Sequence, residues 1–303
     1  MINCLHLPVS PRAGALHIAV SQNYKMAENK PLITIIVAVL NNKESLERCI
    51  ESVNNQTYPY RELIIIDGGS KDGTVEILKN NDNKIAYWES KPDRGIYHAF
   101  NKAIKYAQGE WIYFLGSDDY LWTSDVLEKV AQNIRTIHNS VRLVYGRINH
   151  LRLDNRIIKT TGAEWNKNKI DFSRMPIDHQ ALFHHSTIFE EYGLYDEKYK
   201  IISDYEFQMR IFAQYGEMGR FIPVTIAGHR YGGLSTYRRN RLKILREAEL
   251  IREAYGIKVP LPKKIYKRTG ALFWVLLSYV MGEKTTQKLE DELLFRISRF
   301  AKE

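Results

Sequence analysis

The 303-residue chain contains only two cysteines, Cys4 and Cys49. Two cysteines without metal-type spacing make neither a zinc cluster nor an even disulfide framework, so the composition predicts a reducing, cytoplasmic environment. The chain also lacks G-x-G-x-x-G and the P-loop lysine, which leaves a Rossmann dinucleotide site and a Walker-type ATPase unsupported. Residues 1–30 lack the charged leader and apolar core of a secretory signal. No internal repeat or low-complexity segment is present.

Hydrophobic residues make up 44% of the chain and aromatic residues 12%, which indicates a globular protein with a sizeable core. The length allows one large α/β domain or two small ones. Residues 1–30 show no sustained hydrophobic period, so we expect little fixed structure there. Met26, just before the first predicted strand, is an alternative start.

The net charge of +9 is concentrated near the carboxyl terminus, where residues 238–303 hold 16 Lys and Arg against 8 Asp and Glu. Within this segment the basic run Lys263–Arg268 precedes the apolar run Ala271–Met281. The apolar run is too short to cross a bilayer, which takes about 17–25 residues. Two interpretations stay open: Trp274 and Tyr279 lie at the headgroup level of an anionic membrane, or the helix packs on the protein's own core.

From Leu32 onward, strand-like and helix-like segments alternate along the chain. This alternation predicts a mostly parallel sheet with right-handed crossovers and flanking helices. The predicted strands are Leu32–Leu40, Leu63–Ile66, Ile85–Trp88, Trp111–Leu115, Val141–Tyr145 and Phe221–Ile226. The predicted helices are Glu44–Asn54, Thr74–Lys79, Ile96–Ala107, Val126–Ile137, one that follows Ser203, and those of the tail.

Two adjacent carboxylates follow the apolar segment Trp111–Leu115, in the sequence Ser117-Asp118-Asp119. In an open α/β sheet, ligands collect outside the carboxyl ends of the strands. A divalent cation held there by one or two carboxylates can neutralise a diphosphate. The alternative is an ordinary turn, because Gly-Ser-Asp-Asp is also good turn chemistry.

The loops after two other predicted strands carry glycines and charge. Asp67-Gly68-Gly69-Ser70 leads into a helix start, so its backbone can approach a ligand closely, and Asp67 can accept a hydrogen bond from a base N–H. Asp93-Arg94-Gly95 adds a cation at the same rim. Alone, each loop is better explained as a plain turn. Together they indicate a nucleotide pocket built from strand ends.

The order of these motifs resembles that of the family 2 glycosyltransferases, which have the GT-A fold. The resemblance runs from about Leu32 to Ser235. The matching segments are Ile36–Asn41 for the first strand, Asp67–Thr74 for the D-D/G-G-S-x-D-G-T pattern, Lys91–Tyr97 with Asn101 for the helix approaching the donor, Ser117–Asp119 for the D-x-D-type motif and Ser203–Phe207 for the E/S-D-Y/W-D/E motif. Ala38-Val39 departs from the family's usual Pro-Thr.

This resemblance implies an α/β, GT-A nucleotide-diphospho-sugar transferase fold, with a mostly parallel central sheet flanked by helices. The glycosyltransferase domain would occupy residues 31–237. A poorly structured extension at 1–30 would precede it, and a basic helical region at 238–303 would follow.

On the donor side, the resemblance implies that Asp67 pairs with uracil N3, that Asp118 meets the ribose or the sugar, and that Asp119 holds Mn²⁺ or Mg²⁺ on the diphosphate. The positions it assigns to the nucleotide-sugar donor are Val39, Asn41, Asp67, Gly69, Ser70, Asp93, Arg94, Gly95, Asn101 and Asp118.

The resemblance places Asp204 in the position of the catalytic base. Inverting transfer needs one carboxylate to take the acceptor's proton while a metal stabilises the leaving UDP. Without the family match, Asp204 reads as a residue that stabilises a helix start. The residues assigned to acceptor contacts or to a mobile lid are His179, His229, Arg230, Gly232 and Gly233.

These implications predict a metal-dependent, inverting glycosyltransferase of the hexosyltransferase type. It would move sugar from a UDP-sugar to a saccharide or lipid-linked saccharide in bacterial surface polysaccharide biosynthesis, without a nucleic-acid partner. We expect it in the cytoplasm, and attachment to the inner face of the cell membrane stays open. The other hypotheses are a catalytically silent nucleotide-sugar-binding protein and a nucleic-acid-binding protein that uses the basic tail.

Overall fold

The structure is a computed structural model that describes residues 30–138, 140–152, 154–165, 172, 175–215, 219–230 and 233–300. The expectations for residues 1–29, including the alternative start at Met26, and for Gly232 fall outside these ranges.

One nine-stranded sheet lies at the centre of the described residues. Its strands are β1 (Ile33–Val39), β2 (Arg61–Asp67), β3 (Tyr87–Ser90), β4 (Trp111–Gly116), β5 (Tyr120–Leu121), β6 (Leu143–Leu151), β7 (Ile157–Thr161), β8 (Leu182–His185) and β9 (Arg220–Arg230). They lie in the order β3-β2-β1-β4-β8-β6-β9-β5, and β7 pairs with β6.

Helices connect these strands and form the carboxyl-terminal region. They are α1 (Lys43–Asn54), α2 (Thr74–Asn80), α3 (Ile96–Ile104), α4 (Val126–Ile134), α5 (Thr187–Tyr192), α6 (Ser203–Tyr215), α7 (Arg241–Ala254), α8 (Leu261–Met281) and α9 (Glu283–Phe300). Short 3-10 turns lie at Asp82–Lys84, His179–Ala181 and Arg238–Asn240.

The predicted alternation of strands and helices is confirmed in the first half of the chain, where β3, β2, β1 and β4 pair in parallel. In the second half, β8 runs antiparallel to both β4 and β6, and β5 runs antiparallel to β9. Only β6 and β9 pair in parallel there, as far as the described strands show. The continuous parallel part of the sheet therefore ends at β4.

β2, β4, β6 and β9 extend beyond their predicted ends, and four short elements, β5, β7, β8 and α5, were not predicted. β6 continues to Leu151 and β9 to Arg230 because the two strands pair along that length. β5, β7, β8 and α5 have six residues or fewer. Such short segments contain too few apolar positions for hydrophobic periodicity to mark them.

The core gathers on both faces of the central strands. β1 is buried along most of its length, as expected for a parallel strand covered on both sides. On one face, the Phe114 ring of β4 lies 4.6 Å from the ring of Phe100 in α3 and 5.4 Å from that of Tyr195. Burying an aromatic side chain of this size stabilises the fold by roughly 1.5–3 kcal/mol. This packing holds α3 and the Tyr195 segment against β4.

The carboxyl-terminal helices are attached to the rest of the protein through α7. A second, smaller core joins α6 to α7 through Tyr205, Met209, Ala248 and Ile251. α8 then lies against α7 and α9. Among the described residues, no helix is long and apolar enough to cross a membrane.

We predict that Gly146→Ala destabilises the fold. A Cβ at this position would lie 2.4 Å from the backbone oxygen of Val224, where the pairing of β6 with β9 shifts register. Because the obstacle is backbone, the free energy of unfolding should fall by about 1–3 kcal/mol. The control is Gly270→Ala in α8, where no atom lies within 4 Å of the added carbon and alanine favours the helix. Urea unfolding measures both variants, and equal stability would contradict the prediction.

Candidate active site

Parallel strands bring the loops that follow them together at the carboxyl ends of the strands. Val39 at the end of β1 lies beside Asp67 at the end of β2, and β4 ends on the other side of β1. The backbone N–H of Asn41 donates to Ser70 Oγ at 2.7 Å, which ties the first two loops together. We call the region at the carboxyl ends of β1, β2 and β4, with the loops that follow them, the carboxyl edge.

Asp67 is completely buried at the carboxyl edge. Its carboxylate accepts hydrogen bonds from the backbone N–H groups of Gly69 and Ser70 at 3.1 and 2.9 Å, and from the Ser90 hydroxyl at 2.6 Å. The Ser70 hydroxyl donates to it as well. Gly69 has a φ of 88°, a conformation that favours glycine. Asp67 therefore organises the loop that carries the predicted base contact.

The Asp93–Gly95 loop packs against this glycine loop. A Cβ on Gly68 would lie 2.9 Å from Asp93 Oδ2, and Asp93 Oδ1 accepts the Gly95 N–H at 2.9 Å. Asp93 is thereby held between the glycine loop and the start of α3.

Two other residues of the predicted donor set bond to the segment before α6. Arg94 Nη2 lies 2.7 Å from Glu197 Oε2. The buried Asn101 donates through Nδ2 to the carbonyl oxygen of Tyr195 at 2.9 Å and accepts the Tyr195 N–H at 3.0 Å. Both side chains connect α3 with the segment that leads to Asp204.

Asp119 lies in the turn after β4 with 1% of its surface exposed. Its Oδ1 accepts the backbone N–H of Arg230 at 2.8 Å, and its Oδ2 lies 3.2 Å from His229 Nδ1. Burial disfavours charge on His229, but the adjacent Asp119 outweighs burial, and the pKa of His229 is raised to about 9. A charged His229 therefore pairs with Asp119 and joins β9 to this turn.

Asp118 is the more accessible carboxylate of the pair. Burial and then the neighbouring Asp119 raise the pKa of Asp118 to about 6. Gly233 lies beside it, since a Cβ there would be 3.0 Å from Asp118 Oδ2. Asp118 thus faces the segment after β9 that was predicted to act as a lid.

Two arginines flank the acidic turn, and only Arg230 was predicted. Arg48 of α1 donates through Nη2 to the Asp118 carbonyl at 2.9 Å, and its guanidinium lies 4.5 Å from the centre of the Tyr120 ring. Burial and then Arg230 lower the pKa of Arg48. Within the described part of the chain, the Nε atoms of both arginines are buried without a hydrogen-bond partner. No sequence motif marks Arg48, which reaches the turn because α1 packs on β5.

The acidic turn suits Mg²⁺ or Mn²⁺. These cations take oxygen ligands, and Mg²⁺ is usually bound through one or two carboxylates together with substrate phosphates and water. Asp118 and Asp119 supply such oxygens, and the raised pKa of Asp118 reflects burial next to a like charge, which a cation would relieve. Across the described ranges, no group of three or more His, Cys, Asp and Glu could hold a metal by itself. The residues therefore fit a metal shared with the phosphates of a ligand.

Asp204 stands in the first turn of α6 and is half-buried. Its Oδ1 accepts hydrogen bonds from the Tyr97 hydroxyl and from the Tyr205 N–H, both at 2.9 Å. Burial raises the pKa of Asp204, although His179 and the hydrogen bond from Tyr97 act against this shift. His179 is itself buried and bonds through Nε2 with the Tyr195 hydroxyl at 2.9 Å. The surroundings of Asp204 thus favour a carboxylate that can take up a proton.

Glu247 of α7 holds the loop before α6, and it was not predicted. Its carboxylate accepts the N–H groups of Lys200, Ile201 and Ile202 at 2.9, 3.0 and 3.2 Å. A negative charge at this place also suits the amino-terminal end of α6. The partners are at least 45 residues apart in the chain, so no local pattern indicates the contact.

Residues 34–193 match the family model described as Glycosyl transferase family 2. A PGL/p-HBAD biosynthesis glycosyltransferase of Mycobacterium bovis is 32% identical over 213 residues, which cover 68% of this chain and 79% of that protein. An uncharacterised glycosyltransferase of Rickettsia typhi is 30% identical over 186 residues, which cover 58% of this chain and 57% of that protein.

Solved structures with a similar fold include S. aureus TarS in complex with UDP-GlcNAc, with a TM-score of 0.54, 16% identity, and coverage of 79% of this chain and 71% of that chain. The chain spans 42% of a longer TarS structure, with a TM-score of 0.56 and 18% identity. The mannosyltransferase PcManGT from Pyrobaculum calidifontis, in complex with GDP-Man and Mn²⁺, has a TM-score of 0.54 at 16% identity and covers 91% of this chain and 81% of that chain. At these identities the likeness shows the fold alone, and the predicted GT-A fold is confirmed.

We predict that the metal-free protein loses stability as the pH rises through the range in which His229 titrates. The folded-state pKa of His229 is raised to about 9, whereas an unfolded histidine titrates near about 6.5. The His229–Asp119 pair therefore makes its full contribution to the free energy of unfolding below about pH 6.5, and this contribution is lost as the pH rises through about 9. The size of the pKa shift limits the contribution to roughly 3 kcal/mol.

Urea unfolding in EDTA, from about pH 6 to about pH 9.5, measures this decline. His229→Gln should flatten it, while His138→Gln, which replaces an exposed histidine, should keep it. A wild-type stability that stays level or rises over this range would contradict the prediction.

Proposed function

Because this chain belongs to glycosyl transferase family 2, we propose that it is an inverting enzyme that moves sugar from a UDP-sugar to a hydroxyl of a saccharide or lipid-linked saccharide. Family membership supports glycosyl transfer as the activity of this chain. We propose the stereochemistry of the transfer, the nucleotide of the donor, the metal and the acceptor.

The environment of Asp204 is the observation that carries the proposal. Burial raises the pKa of this carboxylate, and its Oδ1 is held by two donors. A general base needs an available oxygen and a pKa near the working pH. Inverting transfer uses one such carboxylate on the acceptor, in contrast to the carboxyl pair that brackets the bond in glycoside hydrolases.

A UDP-sugar is the proposed donor. The resemblance assigns the uracil contact to Asp67, whose carboxylate already accepts four hydrogen bonds. Uracil N3–H would have to replace one of these donors, whereas adenine offers no equivalent donor. The predicted donor residues Val39, Asn41, Gly69 and Ser70 belong to the same edge. TarS binds UDP-GlcNAc and PcManGT binds GDP-Man. The fold therefore does not choose between these two donors, and the proposed UDP-sugar rests on the uracil contact that the resemblance gives to Asp67.

We propose that Asp119 binds Mn²⁺ or Mg²⁺ and that Asp118 meets the ribose or the sugar. A metal bound there would act as a Lewis acid on the diphosphate. The chain itself orients Asp119 through His229 and the Arg230 N–H. The buried Nε groups of Arg48 and Arg230 are donors that suit phosphate oxygens beside the same turn.

The proposed acceptor is a saccharide or lipid-linked saccharide in the assembly of a bacterial surface polysaccharide. The relative from Mycobacterium bovis acts in PGL/p-HBAD biosynthesis, which supports a biosynthetic role. We assign His179 to the acceptor side because it lies close enough to Asp204 to oppose the rise in the pKa of that carboxylate. The acceptor would be met at the cytoplasmic face of the membrane.

We predict that Asp204→Asn separates catalysis from donor binding. Turnover of the UDP-sugar should fall by about 10²–10⁴-fold because the base is lost. UDP with Mn²⁺, at about 100 times its dissociation constant, should still stabilise the variant by roughly 2.7 kcal/mol in a thermal-shift assay, and EDTA should remove this effect. The control Asp196→Asn removes a nearby carboxylate that pairs with Lys198 and should keep its turnover.

Each alternative has its own outcome in these assays. Equal stabilisation by ADP and UDP would contradict the proposed donor site. Donor binding by the wild type without turnover would favour the silent nucleotide-sugar-binding protein. Salt-sensitive binding of DNA or RNA through several phosphates would favour the nucleic-acid hypothesis.

We also propose that α8 attaches the protein to an anionic membrane surface. The helix has 21 residues, and its buried positions Ala271, Val275 and Ser278 share one face. Large apolar side chains elsewhere on it are 43–83% exposed. These exposed residues are Leu261, Ile265, Tyr266, Leu272, Phe273, Leu276, Tyr279, Val280 and Met281. One face of α8 thus packs on the protein while an apolar surface stays open.

Charge favours a lipid surface over a second copy of the chain as the occupant of this face. α8 begins with the basic run Lys263–Arg268, in a region with 16 Lys and Arg against 8 Asp and Glu. A two-fold dimer would bring this positive surface against itself. Anionic lipid complements it, since each cation near the membrane contributes about 1 kcal/mol. Aromatic residues such as Phe273 and Tyr279 suit the interfacial depth.

We predict that Phe273→Ser combined with Leu276→Ser releases the protein from phosphatidylserine vesicles but leaves UDP binding intact. The control is Leu242→Ser combined with Leu250→Ser, which replaces exposed apolar residues of α7 and should stay bound. Co-sedimentation at low and high salt measures the effect, and salt should weaken wild-type binding. The proposal would be contradicted if the wild-type protein did not bind the vesicles. It would also be contradicted if the wild type formed a dimer that the α8 variant lost and the α7 control kept.

A further inference from the structure

The two oxygens of Asp204 have different surroundings. Oδ1 accepts hydrogen bonds from the Tyr97 hydroxyl and the Tyr205 N–H, each at 2.9 Å. Both of these hydrogen bonds fall on Oδ1. They hold the carboxylate by that oxygen and leave Oδ2 as the oxygen that can meet a ligand.

Tyr97 has a second acceptor within reach. Its hydroxyl lies 2.8 Å from the carbonyl oxygen of Ile201 as well as 2.9 Å from Asp204 Oδ1. A hydroxyl carries one proton, so Tyr97 donates to only one of these acceptors at a time. Burial and then Asp204 raise the pKa of Tyr97 well above its usual range, so the hydroxyl stays protonated.

The Ile201 carbonyl is held in place from the carboxyl-terminal region. The N–H groups of Lys200, Ile201 and Ile202 all donate to Glu247, which is itself buried. Because these bonds fix the peptide units on both sides of Ile201, its carbonyl is a stationary partner. Tyr97 therefore stands between two acceptors of fixed position.

We propose that Tyr97 is the positioning residue of the catalytic base, and that its hydroxyl changes partner from Asp204 to the Ile201 carbonyl when Asp204 becomes protonated. This inference rests on the proposed function, because it takes Asp204 as the base.

The partner change accompanies a balanced proton transfer. The acceptor oxygen forms a bond to the anomeric carbon, and its proton passes to Asp204 Oδ2. The bond between that carbon and the phosphate oxygen breaks, and its electron pair leaves with UDP. Oδ1 of Asp204 then becomes the carbonyl oxygen of a carboxylic acid, which accepts more weakly than a carboxylate oxygen. The Tyr97 hydroxyl then forms its stronger hydrogen bond with the Ile201 carbonyl. Tyr97 therefore stabilises the ionised form of Asp204 and does not disfavour the protonated form.

The other titratable groups that face Asp204 are His179, from the turn before β8, and Tyr195, from the segment before α6. Burial lowers the pKa of His179, and its Nε2 bonds with the Tyr195 hydroxyl. Within the described part of the chain, Tyr97 supplies the side-chain hydrogen bond to Asp204. Its removal should therefore raise the pKa of Asp204 further, because that bond favours the ionised form.

Tyr97→Phe in the full chain tests the proposal through the pH dependence of kcat/KM for UDP-sugar turnover. The acid limb should move to higher pH, because the base must be deprotonated to act. Below the limb, kcat/KM should fall roughly tenfold, and above it roughly threefold or less. UDP affinity in Mn²⁺ should not change. The control Tyr58→Phe removes a buried hydroxyl bonded to the Pro31 carbonyl and should leave the limb in place.

A second variant keeps the test decisive should Tyr97→Phe fail to fold. Glu247→Gln weakens the hold on the Ile201 carbonyl, so Tyr97 should stay on Asp204, and the acid limb should move to lower pH with a reduced kcat. An unmoved limb in the variants that fold would overturn the proposal. If Asp204→Asn kept its turnover, the proposed function would fail instead. An inactive Asp204→Asn together with an unmoved limb in Tyr97→Phe would overturn only the role of Tyr97.

Discussion

Parallel pairing at the centre of the sheet is the constraint on which the candidate site depends. β1 is buried along most of its length and pairs in parallel with β2 on one side and β4 on the other. Parallel strands in register end at the same edge, so the loops that follow them must meet there. Asn41, Asp67 and Asp118 are far apart in the sequence, yet each lies at or just after the end of one of these three strands and so belongs to the carboxyl edge.

The rest of the chain allows acids to be buried at that edge. A carboxylate removed from water is strongly unfavourable unless other groups satisfy it. β9 supplies the Arg230 N–H and His229 to Asp119, and the glycine loop supplies its own N–H groups to Asp67. Burial raises the pKa values of the remaining two acids, Asp118 and Asp204. Two of the four acids, Asp67 and Asp119, are therefore fixed by hydrogen bonds from the protein, while burial makes the other two, Asp118 and Asp204, easier to protonate.

The carboxyl-terminal region combines support for the loop before Asp204 with an outward-facing surface. α7 shares a core with α6 and holds the loop before Asp204 through Glu247. The predicted boundary between residues 237 and 238 therefore falls between elements that pack together. α8 has a buried face and an exposed apolar face. The run Ala271–Met281 therefore packs on the protein through one side, and the proposed membrane contact concerns the other side.

The sequence by itself determined the features that local patterns carry. β2 and β4 contain the uninterrupted apolar runs Leu63–Ile66 and Trp111–Leu115. Asp67 directly follows the first run, and Asp118 and Asp119 closely follow the second, so the fold class and the acidic turn could be recognised from order alone. The family is shown by the match over residues 34–193. Tertiary structure decided the strands β5, β7 and β8, which are too short for periodicity to mark them. It also decided the contacts of Arg48, Tyr97 and Glu247, because their partners lie far away in the chain and no local pattern encodes them. It also decided ionisation, since the raised pKa values of Asp118 and His229 depend on burial and on neighbours that only folding brings together.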